Sequence, residues 1–143
     1  MNVLVDTSVW SLAFRHKPAQ AQSGELQDIY VAELRELIKE MRAQIIGPVR
    51  QELLSGISDQ TQFQKLREYL QSFEDLEIDS IDYERAAEFF NLCRSKGVQG
   101  AHTDFLICSV AAKYTIPVFT TDKDFKLYAN HLTISLYEPR QSD

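Results

Sequence analysis

Asp6, Glu52, Asp104 and Asp122 differ in placement from the rest of the chain's 21 acidic residues. Asp6 closes the apolar run Val3-Leu4-Val5, and Asp122 closes Val118-Phe119-Thr120-Thr121. Glu52 lies one helical turn past Gly47-Pro48, and Asp104 opens the apolar stretch from Phe105 to Ala112. Charge has no solvation reason to sit beside such runs. If the fold gathers the four, the carboxylates repel one another unless cations occupy the cleft. A donor set made only of oxygen suits hard ions such as Mg²⁺ or Mn²⁺, which keep several waters and meet substrate phosphates directly. Such an ion promotes in-line attack of water on a phosphodiester without a covalent protein intermediate.

Each acid taken alone has an ordinary reading. Asp122 could cap a following helix, Asp104 could stabilise a helix N-terminus, and Glu52 could be an exposed helical residue. Asp6 fits none of these, and the case for a site rests on the four standing in consistent positions. Asp124 suits capping and support of Asp122 more than ligation. The three histidines, His16, His102 and His131, stand singly and do not offer a zinc site. His102, two residues before Asp104, reads first as a loop or capping residue and second as a substrate contact.

With 143 residues, 44% of them hydrophobic and 25% charged, the chain fits one globular domain over 1–143, large enough to bury a core. No apolar run approaches the length of a membrane span, and no leader pattern precedes the first strand, so a cytoplasmic location is expected. Cys93 and Cys108 lie in helical, partly apolar settings without CxxC spacing and read as buried free thiols. The net charge of −6 counts against a nucleic-acid partner at face value. Two divalent cations would add four positive charges and bring it to −2, after which local cations decide. Arg15, His16 and Lys17 follow the first motif, and Lys123 and Lys126 the last.

The elements that must carry these residues alternate between strand and helix. Strands are expected at 2–5, 45–46, 76–78, 117–121 and 133–137. Helices are expected near 24–42 with Ser23 as cap, from Pro48 to Gly56, at 59–73, 82–96 and 104–114, the last capped by Thr103, and at 124–130. Leu26, Tyr30, Leu34, Leu37, Ile38 and Met41 supply the apolar face of the first of these, and Ala86, Phe89, Phe90 and Cys93 turn inward from 82–96. This pattern implies an α/β class: a three-layer α/β/α arrangement with a central, mostly parallel sheet of about five strands. Right-handed crossovers put the strands' C-terminal ends on one edge, where ligands bind if the strand order reverses. Asp6 and Asp122 end strands there; Glu52 and Asp104 would lean over the same edge from helices.

At this point the motifs resemble a known family. Val3-Leu4-Val5-Asp6-Thr7-Ser8-Val9-Trp10, Val49-Arg50-Gln51-Glu52-Leu53-Leu54-Ser55-Gly56, Thr103-Asp104-Phe105-Leu106-Ile107-Cys108 and Thr120-Thr121-Asp122-Lys123-Asp124-Phe125 resemble, in order and spacing, the PIN domain, and more narrowly VapC-type ribonuclease toxins. The resemblance implies a Mg²⁺- or Mn²⁺-dependent endoribonuclease, usually homodimeric, inhibited by a cognate antitoxin. It implies Asp6, Glu52, Asp104 and Asp122 as the catalytic acids, with Asp6, Asp104 and Asp122 as metal ligands. Thr120 falls on a hydroxyl position of the family and Ser8 lies near the first acid; Asp124 reads as support from its place beside Asp122, and Arg15, Lys17 and Lys123, the cations next to the motifs, are the candidate substrate contacts. Cys108-Ser109 replaces the small alanines usual in that helix, a departure away from the ligand positions. Two other readings compete. A haloacid-dehalogenase-like phosphatase would carry a second Asp two residues after the first, where this chain has Ser8. A PIN-like protein-binding or regulatory module would have lost the acids that are present here.

Overall fold

The computed structural model describes residues 1–15 and 24–140, with the side chains of Arg15 and Glu25 outside that description. The expectations for Ser23, Lys17, His16 and the Arg15 side chain therefore fall outside the described residues. The first strand, β1 (Val3–Val5), is fully buried, as a central parallel strand should be. After it come helices α1 (Thr7–Arg15) and α2 (Gly24–Lys39), then strand β2 (Ala43–Gln44). Helices α3 (Gly47–Leu54), α4 (Gln60–Leu70), α5 (Ser80–Ser95) and α6 (His102–Tyr114) precede strand β3 (Val118–Phe119) and helix α7 (Asp124–Ala129). Among the described residues no helix is long and apolar enough to cross a membrane.

The sheet order is β2-β1-β3, with both pairings parallel: Val3 opposite Ala43, and Leu4 opposite Val118. The chain leaves β1 toward one side and returns on the other, so the strand order reverses beside β1. That reversal opens a crevice beyond the C-terminal ends of β1 and β3.

The α/β class stands, but the sheet has three strands among the described residues where about five were expected. Asp75, just before the segment expected at 76–78, and Leu136, within 133–137, form one parallel bridge each, with Ile45 and Val118. Their neighbouring strands are too short to extend the ladder. β3 has two residues, and Ile46 already serves as the N-cap position of α3. For the same reason β2 pairs at 43–44 rather than 45–46, although Ile45 and Ile46 are both fully buried.

Helix α6 is buried from Phe105 through Ala111, which agrees with its apolar circumference. It starts two residues earlier than expected, with Ala101 rather than Thr103 at the N-cap, so Asp104 sits inside the first turn. Leu26 and Met41, expected on the inner face of α2, are exposed, while Leu34 and Leu37 are buried. On α5, Ala86 and Cys93 are buried and the two phenylalanines only half so. Both cysteines are buried free thiols.

α5 and α6 are joined by a buried polar cluster. Asp82 accepts from Lys113 Nζ at 2.8 Å and from Arg85 at 3.0 Å, while Ser109 Oγ donates to the Asp82 carbonyl at 2.7 Å. Burial alone would raise the Asp82 carboxyl, but bonds from Lys113, the Asp79 N–H and Arg85 outweigh it and hold the group at about 2. At the far end of the chain, Arg140 and Tyr137 bond Glu33 of α2, which clamps the C-terminal segment onto that helix.

Candidate active site

Asp6 leaves β1 with its N–H donating to the Phe119 carbonyl at 2.9 Å, which ties it to the end of β3. Its own carbonyl accepts from Val9 and Trp10, so the residue that ends the strand also starts α1. The side chain is buried, and its Oδ2 accepts from Ser8 Oγ at 2.8 Å and from Thr120 Oγ1 at 2.7 Å. A hydroxyl has one proton, so the 3.2 Å approach of Ser8 to Thr120 is a contact between two donors already committed to the same oxygen. Oδ1 of Asp6 is thereby left as the oxygen available to a ligand.

The same two hydroxyls organise the β3 side. Thr121 N–H donates to Ser8 Oγ at 3.0 Å, and Asp122 N–H to Thr120 Oγ1 at 2.9 Å. Asp122 Oδ1 in turn accepts from the Asp124 N–H at 2.9 Å at the start of α7. One carboxylate oxygen of Asp122 is thus spent on capping, as its ordinary reading holds. Asp124 supports it through its backbone.

Asp104 faces the pair from α6. Burial is the main cause that pushes its carboxyl up to about 6; the Tyr128 hydroxyl and the Ala101 N–H oppose this, and the charges of Asp6 and Asp122 add to it. The structure thus brings Asp6, Asp104 and Asp122 into one electrostatic environment, with Glu52 exposed on α3.

Tyr128 escapes sequence reading. Its ring is fully buried between Phe105 and Phe125, and its hydroxyl donates to Asp104 Oδ2 at 2.7 Å. Burial and this bond together raise the phenol well above its usual value, so it remains a donor. The approach needs Gly100. A Cβ there would overlap the Tyr128 hydroxyl and lie 2.7 Å from Cζ. Only a glycine, 28 residues before the tyrosine, leaves room; the spacing of acids carries no trace of it. His102, expected in a loop or as a cap, is the first residue of α6 and stacks on Phe90 with centroids 5.0 Å apart.

Among the described residues no three His, Cys, Asp or Glu side chains close on one point tightly enough to coordinate an ion as they stand. The donor chemistry fits an ion that does not need such a cage. Mg²⁺ and Mn²⁺ bind through one or two carboxylates and keep waters in the remaining positions. Asp6, Asp104 and Asp122 supply oxygen alone, and mutual repulsion gives them reason to hold a cation.

Compared with known proteins, the chain matches the PIN domain family over residues 3–130. It superposes on the structure of FitAcB from Neisseria gonorrhoeae with a TM-score of 0.73 at 22% identity, covering 96% of this chain and 97% of that one. VapBC2 from Rickettsia felis, solved bound to a DNA fragment from its promoter, gives 0.71 at 22% identity over 96% and 98%. A toxin–antitoxin complex from Klebsiella pneumoniae gives 0.61 at 18% identity over 87% and 90%. At these identities the likeness is one of fold. No curated protein matches the sequence.

Proposed function

This chain belongs to the PIN domain family, and from that premise we propose that it is a metal-dependent endoribonuclease, the toxin of a toxin–antitoxin pair. The observation that carries the reading is the meeting of Asp6, Asp104 and Asp122 at the crevice between β1 and β3, where Asp6 and Asp122 both raise the Asp104 carboxyl. Asp6, Asp104 and Asp122 hold Mg²⁺ or Mn²⁺. When bound, the ion supplies Lewis acidity and charge screening for hydrolysis of an RNA phosphodiester.

The chain's own residues do the rest. Ser8 and Thr120 fix the Asp6 carboxylate in one rotamer, so no reorganisation is needed when ligand arrives. Tyr128 does the same for Asp104. Glu52, on the rim, acts through water or on the water that attacks, which accords with its exposure. Arg15, Lys17 and Lys123 meet RNA phosphates. The chain works as one cytoplasmic domain over 1–143, as a homodimer. Its fold likeness to FitAcB, VapBC2 and the Klebsiella complex supports a cognate antitoxin as its partner.

The test is cleavage of cellular RNA by the purified protein with Mg²⁺, with EDTA, and after Asp6→Asn. The reading expects cutting only in the first case, with a loss of at least about a hundredfold in the variant, the scale of removing one charge-stabilising group. Equal cutting by Asp6→Asn would sink it. Expression without an antitoxin should arrest growth; harmless expression of a protein that still cuts RNA would make it a housekeeping nuclease.

A further inference from the structure

Beside the carboxylates, between residues of α2 and α7, lies a cavity of about 390 Å³ whose lining includes Thr120, Thr121 and Asp122. That size falls within the usual range for small-ligand sites. Its other walls combine three kinds of chemistry. Tyr30 is half-buried and lies nearly parallel to Phe119, with centroids 5.3 Å apart and planes 19° from parallel, so the ring is held in a fixed plane. Gln27, one turn earlier on α2, offers an amide donor and acceptor, and Glu138 a carboxylate. Lys123 and Lys126, three residues apart at α7 and both exposed, add two cations to the lining that also holds Asp122.

We infer that this cavity holds one unstacked nucleotide of a single-stranded RNA next to the phosphodiester at the carboxylates, its base against Tyr30 and its phosphates on Lys123 and Lys126. The inference rests on the nuclease reading above and names the residues of this chain that receive the nucleotide beside the scissile bond. Single-stranded RNA is recognised in this way, by stacking on aromatic rings, hydrogen bonds to base edges and cationic contact with the backbone. A duplex keeps its bases stacked and paired and has none to offer the cavity. The position of the lysines also answers the objection from net charge. The cations that matter are local and flank the acidic centre.

The experiment uses the whole chain and a fluorescein-labelled single-stranded RNA of mixed sequence, with the matching duplex as comparison. Binding is followed by anisotropy across a salt series, and cleavage in parallel. Lys126→Ala should weaken binding of the single strand several-fold and reduce the slope of log K against log salt by about 0.7, the value for one phosphate contact on a single strand. Gln27→Trp, which fills the cavity from an accessible position, should weaken binding of the single strand and leave the weak binding of the duplex as it was. Lys65→Ala, a surface cation elsewhere on the molecule, controls for general charge.

Wild-type protein that cuts RNA while Lys126→Ala and Gln27→Trp match it in KM and salt slope would overturn the cavity assignment and leave the nuclease reading intact. Protein that binds the single strand through these residues but never cuts would support the assignment and sink the nuclease reading. If the two variants keep RNA affinity and lose affinity for a co-expressed protein partner, the cavity is a protein site and the inference fails.

Discussion

Among single residues, Asp104 carries the clearest tension between stability and function. Its carboxyl is raised to about 6 in the folded state from an ordinary 3.8. A folded value above the unfolded one means that the folded state holds its proton more tightly. Stability contributed by that proton is present below pH 4 and is lost as pH rises to 6. At neutral pH the metal-free protein bears the penalty, on the order of 1–2 kcal/mol once solvent screening is allowed for. Mg²⁺ should therefore raise Tm by several degrees at pH 7.5 and much less at pH 5, by calorimetry or dye binding. Asp104→Asn should raise the Tm of the metal-free protein at pH 7.5 while abolishing cleavage; a fall in Tm would contradict the account of this group. Tyr128→Phe removes a bond to a charged oxygen without changing the packed ring, and should cost about 2 kcal/mol of transition-state stabilisation, seen in kcat more than KM, with weaker Mn²⁺ binding. Gly100→Ala should mimic that loss and also lower Tm, because it displaces the ring as well as the hydroxyl. The legibility of this site divides along physical lines. Asp6 and Asp122 could be read because a charged residue ending a buried strand is a local pattern, visible in a few neighbours. Tyr128 could not, because its role depends on a distant glycine and on the packing of α6 against α7.

Among elements, the position of Asp104 depends on α6, and α6 is fastened to α5 by Asp82, Arg85, Ser109 and Lys113. Asp82→Ala leaves Lys113 and Arg85 without their shared acceptor and should destabilise by about 3 kcal/mol in urea melts at pH 7. The folded carboxyl sits at about 2, below its unfolded value, so its stabilising share is complete above pH 4 and is lost as pH falls through 2. Wild type should lose about 2 kcal/mol over that interval from this group, and the variant should lose correspondingly less. Equal acid sensitivity in both would remove Asp82 from the account. Helices were the more readable elements, since α2, α4 and α5 show clear 3.6-residue periodicity and α4 is capped by Asp59, which accepts from the Gln62 N–H at 3.0 Å. The flanking segments near 76 and 134 read as strands because Leu76, Ile78, Ile134 and Leu136 alternate with polar residues. Whether such segments pair along their length depends on the neighbour across the sheet. Here β2 and β3 are each two residues long, a limit no local pattern displays.

For the molecule as a whole, the reversal of strand order beside β1 is what brings Asp6 and Asp122, which end β1 and follow β3, to one crevice. Strand–helix alternation made the parallel sheet and the C-terminal edge readable from sequence. The exposure of Glu52 was not readable, because it depends on how α3 leaves Ile46. A chain with net charge −6 must confine RNA contact to a small region, so raising ionic strength should weaken RNA binding with a shallow slope of a few phosphates rather than the steep one of a basic groove. The most direct test of the central claim is the binding of Mn²⁺, followed by the loss of its free paramagnetic resonance signal, in the wild-type protein and in Asp6→Asn, Asp104→Asn and Glu52→Gln. Saturable binding in the wild type and in Glu52→Gln, with a loss of about tenfold or more in affinity for each aspartate variant, is the predicted result. Binding that survives both aspartate substitutions unchanged would contradict it.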